Sequence, residues 1–65
     1  MPQMSLKAAR VNTGYSQKEA AKKLNVSNRT LCKWENGVTY PNQPMIEKIC
    51  ELYQVPYDAI NFKVN

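Results

Sequence analysis

The sequence predicts an all-α domain, a compact bundle of five short helices around one core, and three observations predict it. Apolar residues recur at helical spacing in every stretch long enough to read. Residues that start and stop helices arrive at short intervals. There is no alternating strand pattern and no internal repeat.

Ser5 is placed to cap a first helix that runs through Leu6, Ala9 and Arg10 and stops near Gly14. Ser16-Gln17-Lys18-Glu19 is a capping box, in which the serine oxygen accepts from first-turn amides and the glutamate reaches back. The second helix, which this box opens, carries Ala20 and Leu24 on one face. Asn25, a residue that tolerates the left-handed conformation, ends it. Ser27 caps a third helix and Gly37 closes it. Asn42 or Gln43, with Pro44 in the first turn, starts a fourth that carries Ile46, Ile49 and Tyr53. Pro56 followed by Tyr57 and Asp58 suggests a short fifth helix using Ile60 and Phe62.

A chain of 65 residues makes one domain, 1–65 with a core of about 6–62. At this size only about 60% of the unfolded surface is buried, so modest stability is expected. The apolar share of 43% still supplies one core, and 22% charge in mixed order gives no sign of disorder. No apolar run approaches the roughly 20 residues that span a bilayer. The stretch Met-Pro-Gln-Met-Ser-Leu-Lys lacks the apolar centre of a secretory signal, so the expected compartment is the cytoplasm, without membrane contact.

Cys32 and Cys50 form neither a disulfide framework nor a metal-ligand spacing, and read as reduced thiols. The absence of histidine removes the commonest general base and a principal metal ligand. It also leaves neither cysteine a histidine to activate it. No enzyme, cofactor, metal or small-molecule substrate is expected.

Charge is distributed unevenly. Residues 1–34 carry seven bases against the single acid Glu19, a net +6, whereas residues 35–65 carry two bases against four acids, a net −2. The basic half suits a polyanion, although a solvated basic surface reads equally well from charge alone.

Only Asn25, Val26 and Ser27 separate the second and third helices. So short a turn makes the helices cross steeply and leaves one side of the third exposed. Many helix pairs with such turns never meet DNA. In the third helix, around Asn28 to Asn36, Leu31 and Trp34 fall on the core side with Val26 just ahead of them. Asn28, Arg29, Cys32, Lys33 and Asn36 make one opposite face. Asn can pair with adenine and Arg or Lys with guanine, so this face suits base edges in the major groove. A solvated amphipathic helix is the plainer reading of such a face taken alone.

Gln17-Lys18-Glu19-Ala20-Ala21-Lys22-Lys23-Leu24-Asn25-Val26-Ser27, then Leu31, then Lys33-Trp34-Glu35-Asn36-Gly37, resembles the phage repressor and Cro-type helix-turn-helix family. Ile49-Cys50-Glu51-Leu52-Tyr53-Gln54-Val55 and the segment from Tyr57 to Phe62 resemble its fourth and fifth helices, so the likeness covers about residues 6–62. It implies a lambda-repressor-like bundle and a transcriptional regulator, of the repressor kind, from a phage, another mobile element or a bacterial host. By the same likeness the partner is double-stranded DNA, read as a homodimer on a palindromic operator with half-sites about one helical turn apart.

The resemblance also implies roles. Ser27, Asn28, Arg29 and Lys33 match base-reading positions, with Cys32 beside them as a further base or thymine-methyl contact. Gln17, flanked by Ser16 and Lys18, matches a phosphate ligand at a helix start, and Asn36 matches another just before the loop. Arg10 and Glu35 match an ion pair tying the first helix to the end of the third. Glu35 opposes the helix dipole there and calls for a cation.

The chain departs from the family in three places, one of them Cys32, an unusual choice for a reading face. Asn25 stands where a turn glycine is usual. The loop at residues 38–43 lacks the bases that several relatives use, leaving Thr39, Tyr40 and backbone amides to meet phosphates. Dimer contact would fall to Tyr57, Phe62 and Val64, although each is more often simply core or end-of-chain packing. The same fold also serves as a protein-interaction module, such as an antitoxin or assembly factor.

Overall fold

A computed structural model of the protein describes residues 3–62. In chain order these form β1 (Met4–Ser5), α1 (Leu6–Thr13), α2 (Gln17–Lys23), α3 (Asn28–Glu35), α4 (Gln43–Tyr53), one 3-10 turn (Tyr57–Ala59) and β2 (Ile60–Asn61).

Each of the four α-helices opens on a side-chain cap. The hydroxyls of Ser5, Ser16 and Ser27 accept from the backbone N–H groups of Ala8, Glu19 and Thr30, and the Asn42 side-chain oxygen accepts from Met45 N–H. Such caps contribute about 1 kcal/mol apiece by satisfying donors the helix itself leaves free. At Ser16 the box is complete, because the Glu19 carboxylate accepts from Ser16 N–H at 2.9 Å. That bond and the Ser16 hydroxyl hold the Glu19 carboxyl below the usual carboxylate range, with a smaller contribution from the Lys23 ammonium.

The helices stop where the backbone turns left-handed. Gly14, Asn25, Gly37 and Gln54 have φ of 86°, 60°, 75° and 56°. Asn25 thus performs the turn role that glycine usually has. Gln54 is the costlier case, a long side chain in a region that L-residues avoid.

The expected fifth helix is replaced by the single 3-10 turn and β2, so the described residues hold four α-helices, not five. The backbone reaches extended geometry at Ile60, with φ −116° and ψ 133°. β2 then pairs in parallel with β1, Met4 opposite Ile60 and Ser5 opposite Asn61. A helix of five or six residues is marginal by itself. Strand pairing satisfies the same backbone groups and buries Ile60 in the core. The two ends of the described chain are held together as a result, with Gln3 Nε2 donating to the Asp58 carbonyl at 2.9 Å. Of the residues considered for packing or dimer contact, Val64 lies outside the described residues.

Leu6 and Ala9 from α1, Ala20 and Ala21 from α2 with Leu24 at its C-terminal cap, Leu31 and Trp34 from α3, Ile49 and Tyr53 from α4, and Ile60 make the core. The alanines of α2 let α3 approach closely. Tyr53 is 2% exposed, and its hydroxyl has no hydrogen-bond partner among the described residues. Burial pushes its ionisation from the ordinary 10 up to about 12, the Glu35 carboxylate adding to the rise and the Arg10 guanidinium opposing it.

Tyr53→Phe is therefore expected to be neutral or to stabilise by about 1 kcal/mol, since an unmet buried hydroxyl carries its desolvation cost without return. The pH dependence should change as well. A phenol whose ionisation is raised by folding loses its contribution as pH climbs from about 10 to about 12, and phenylalanine abolishes that alkaline loss. Urea titrations at neutral and alkaline pH test this. A clear destabilisation at neutral pH would mean that the hydroxyl is satisfied after all.

Candidate nucleic-acid interface

The bend between α2 and α3 is built from local bonds. Asn25 N–H donates to the Lys22 carbonyl at 3.1 Å and Val26 N–H to the Ala21 carbonyl at 3.0 Å, the pair that closes a helix through a left-handed residue. Val26 then packs on the core, and Ser27 is extended, with ψ 154°, before α3 begins.

That arrangement fixes how α3 is presented. Leu31, Trp34 and Glu35 are buried. Asn28, Arg29, Lys33 and Asn36 are exposed on the other side, with Cys32 half-buried among them. No carboxylate shares this exposed face, because the helix's one acid, Glu35, points inward. The face is cationic and rich in planar amide and guanidinium donors.

Some of the predicted site residues are already engaged. The Ser27 hydroxyl accepts from Thr30 N–H at 3.0 Å and donates to Thr30 Oγ1 at 2.9 Å. Thr30 had no role from the sequence, although its position three after a serine cap was the available signal. Asn36 Nδ2 donates to Cys32 Sγ at 3.3 Å. Asn28, Arg29 and Lys33 make no such side-chain bond among the described residues.

Behind this face lies a buried ionic network. Arg10 Nε donates to Glu35 Oε2 at 2.8 Å, and Arg10 also donates to the Tyr15 carbonyl at 2.9 Å. The Arg10 and Glu35 side chains are 9% and 3% exposed. Gln17 Nε2 donates to the other carboxylate oxygen of Glu35 at 3.1 Å. One carboxylate at the end of α3 thus holds both α1 and the start of α2. The Gln17 side chain, matched in sequence to a phosphate ligand, is oriented by this bond and half-buried.

Of its neighbours, Ser16 is occupied by the capping box, and Lys18 is exposed. Thr39 and Tyr40 are exposed in the loop after α3. Cys32 and Cys50 are free thiols, and burial pushes Cys50 up. Among the described residues no group of His, Cys, Asp or Glu could hold a metal ion, and no helix is long and apolar enough to cross a membrane.

Two helices crossing through a tight left-handed turn, the second exposed along a carboxylate-free face, make a helix-turn-helix domain. The chain belongs to the helix-turn-helix family, whose model matches residues 6–60, the family of phage repressor and Cro type that its sequence resembles. It is similar to the HTH-type transcriptional regulator ImmR of Bacillus subtilis (strain 168), 43% identical over 55 residues. That alignment covers 85% of this chain and 43% of the relative, so the chain spans less than half the relative's length. No solved structure gives a significant match.

Proposed function

We propose that this chain is the sequence-specific, double-stranded-DNA-binding domain of a transcriptional regulator, a repressor, acting in the cytoplasm. The N-terminal part of α3 enters the major groove, where Asn28, Arg29 and Lys33 read base edges, flanked by Ser27 and Cys32. Gln17, Lys18, Ser16, Asn36, Thr39 and Tyr40 grip phosphates on either side. The observation that carries this reading is the exposed, carboxylate-free face of α3 directly after the tight turn. Membership of the helix-turn-helix family and likeness to a transcriptional regulator support it.

Reading a palindromic operator calls for a dimer. Ile46, Tyr57 and Phe62 line an open apolar cleft of about 380 Å³, with Tyr57 58% exposed and stacked on Phe62 at 5.8 Å between centroids. This is the surface we assign to dimer contact.

Selection of bound duplexes from a random DNA pool tests the whole reading, returning the site, its symmetry and its half-site spacing. Affinity for the selected duplex should fall steeply with salt as counterions are released. Absent or salt-insensitive binding would overturn the assignment.

A further inference from the structure

The outer side of α2 carries cations that the base-reading face does not absorb. Lys18, Lys22 and Lys23 are all exposed. Lys23 is turned the other way, toward the loop before α2, its Nζ lying 5.6 Å from the centroid of the Tyr15 ring. Lys18 and Lys22, one helical turn apart, instead edge an open cleft of about 480 Å³ between α2 and the start of α3. The opposite wall of that cleft is Ser27 and Asn28, and Ala21 and Val26 also line it. No acid lines it, and neither ammonium has a carboxylate partner among the described residues.

We propose that Lys22 is a further DNA-contacting residue, which with Lys18 holds a sugar–phosphate segment of the backbone in this cleft at the edge of the major groove. The inference rests on the DNA-reading role proposed for α3. The chemistry of the cleft matches that occupant. Its apolar lining suits the C–H face of a deoxyribose, and its two cationic arms suit the adjoining phosphate charge. Because Asn28 forms the other wall, a base edge met by Asn28 brings the neighbouring backbone to the lysines. Such a contact carries no sequence information and sets register.

The test is Lys22→Gln with Lys23→Gln as a control of equal charge, each checked for folding by thermal melt. Binding to the selected duplex and to a mixed-sequence duplex is followed across a salt series. Lys22→Gln should weaken both complexes by a similar factor and flatten the plot of log affinity against log salt by about 0.9. Lys23→Gln should leave the slope at the wild-type value.

An unchanged slope in Lys22→Gln would overturn the proposal. Equal flattening in both variants would also overturn it, as the mark of net charge rather than a contact. So would a loss confined to one base pair. Wild-type protein that binds no duplex would remove the DNA reading itself, and this inference with it. In every other case the fate of Lys22 is decided separately.

Discussion

Glu35→Ala is expected to cost about 3–5 kcal/mol, the loss seen when one partner of a buried ion pair is removed and the other charge stays behind. Stability near 0.05–0.15 kcal/mol per residue puts a chain of this size at about 3–10 kcal/mol in all. One substitution thus removes a third or more of it, and at the lower end unfolds the domain. The effect is large because three N–H donors on two side chains lose their acceptor together. Arg10 loses two bonds and Gln17 loses its own, so the guanidinium, buried in the folded protein, keeps only the Tyr15 carbonyl.

The double variant Arg10→Met/Glu35→Leu should recover much of that loss, because apolar residues of similar volume carry no desolvation cost. It should not recover all of it, since the Tyr15 carbonyl and the Gln17 amide still lack partners. Urea denaturation of both single variants and the double closes the cycle. A Glu35→Ala protein within about 1 kcal/mol of wild type would mean that the pair is far more hydrated than its geometry implies.

The second large effect is on binding. Arg29→Ala/Lys33→Ala should keep the fold, because both side chains are exposed and surface changes of this kind usually stay within about 0.5 kcal/mol. Each base contact contributes about 1–3 kcal/mol of discrimination, so losing both should weaken operator binding by roughly 30-fold or more. Binding to unrelated duplex should fall much less, by the electrostatic share alone. Titration of the variant against selected and unrelated duplexes separates the two. A variant that melts as wild type and still prefers the operator by the full margin would show that Arg29 and Lys33 do not read bases. If instead the wild-type protein selects no duplex, the protein-interaction reading takes precedence, with the exposed cleft at Tyr57 and Phe62 as its natural surface.

The placement of Lys22 shows where the limit of the sequence lies. Its spacing from Lys18 is legible as a helical turn, but the cleft that gives the pair an object exists only once α3 is docked. Gln17 is similar. Family likeness suggests a phosphate ligand, while its hydrogen bond to Glu35 depends on α3 ending beside the start of α2. Family likeness makes Ser27 a base reader, while local geometry engages its hydroxyl first in capping α3.

Neighbours along the chain govern the features that can be read without the fold. Ser5, Ser16, Ser27 and Asn42 announce the helix starts, and Gly14, Asn25 and Gly37 the stops, because caps and left-handed turns are contacts within a few residues. Helical spacing likewise placed Leu31 and Trp34 inward and Arg29 and Lys33 outward. The tertiary structure alone decided the fate of residues 57–61. A two-residue strand has no periodicity to read, and its partner, Met4–Ser5, lies at the opposite end of the described chain. It decided also that Gln54 would bear a left-handed backbone, because α4 must end there for Val55 to pack on the core. The hydroxyl of Tyr53 finds no partner among the described residues for the same kind of reason, since burying the ring in the core took precedence over pairing one polar atom.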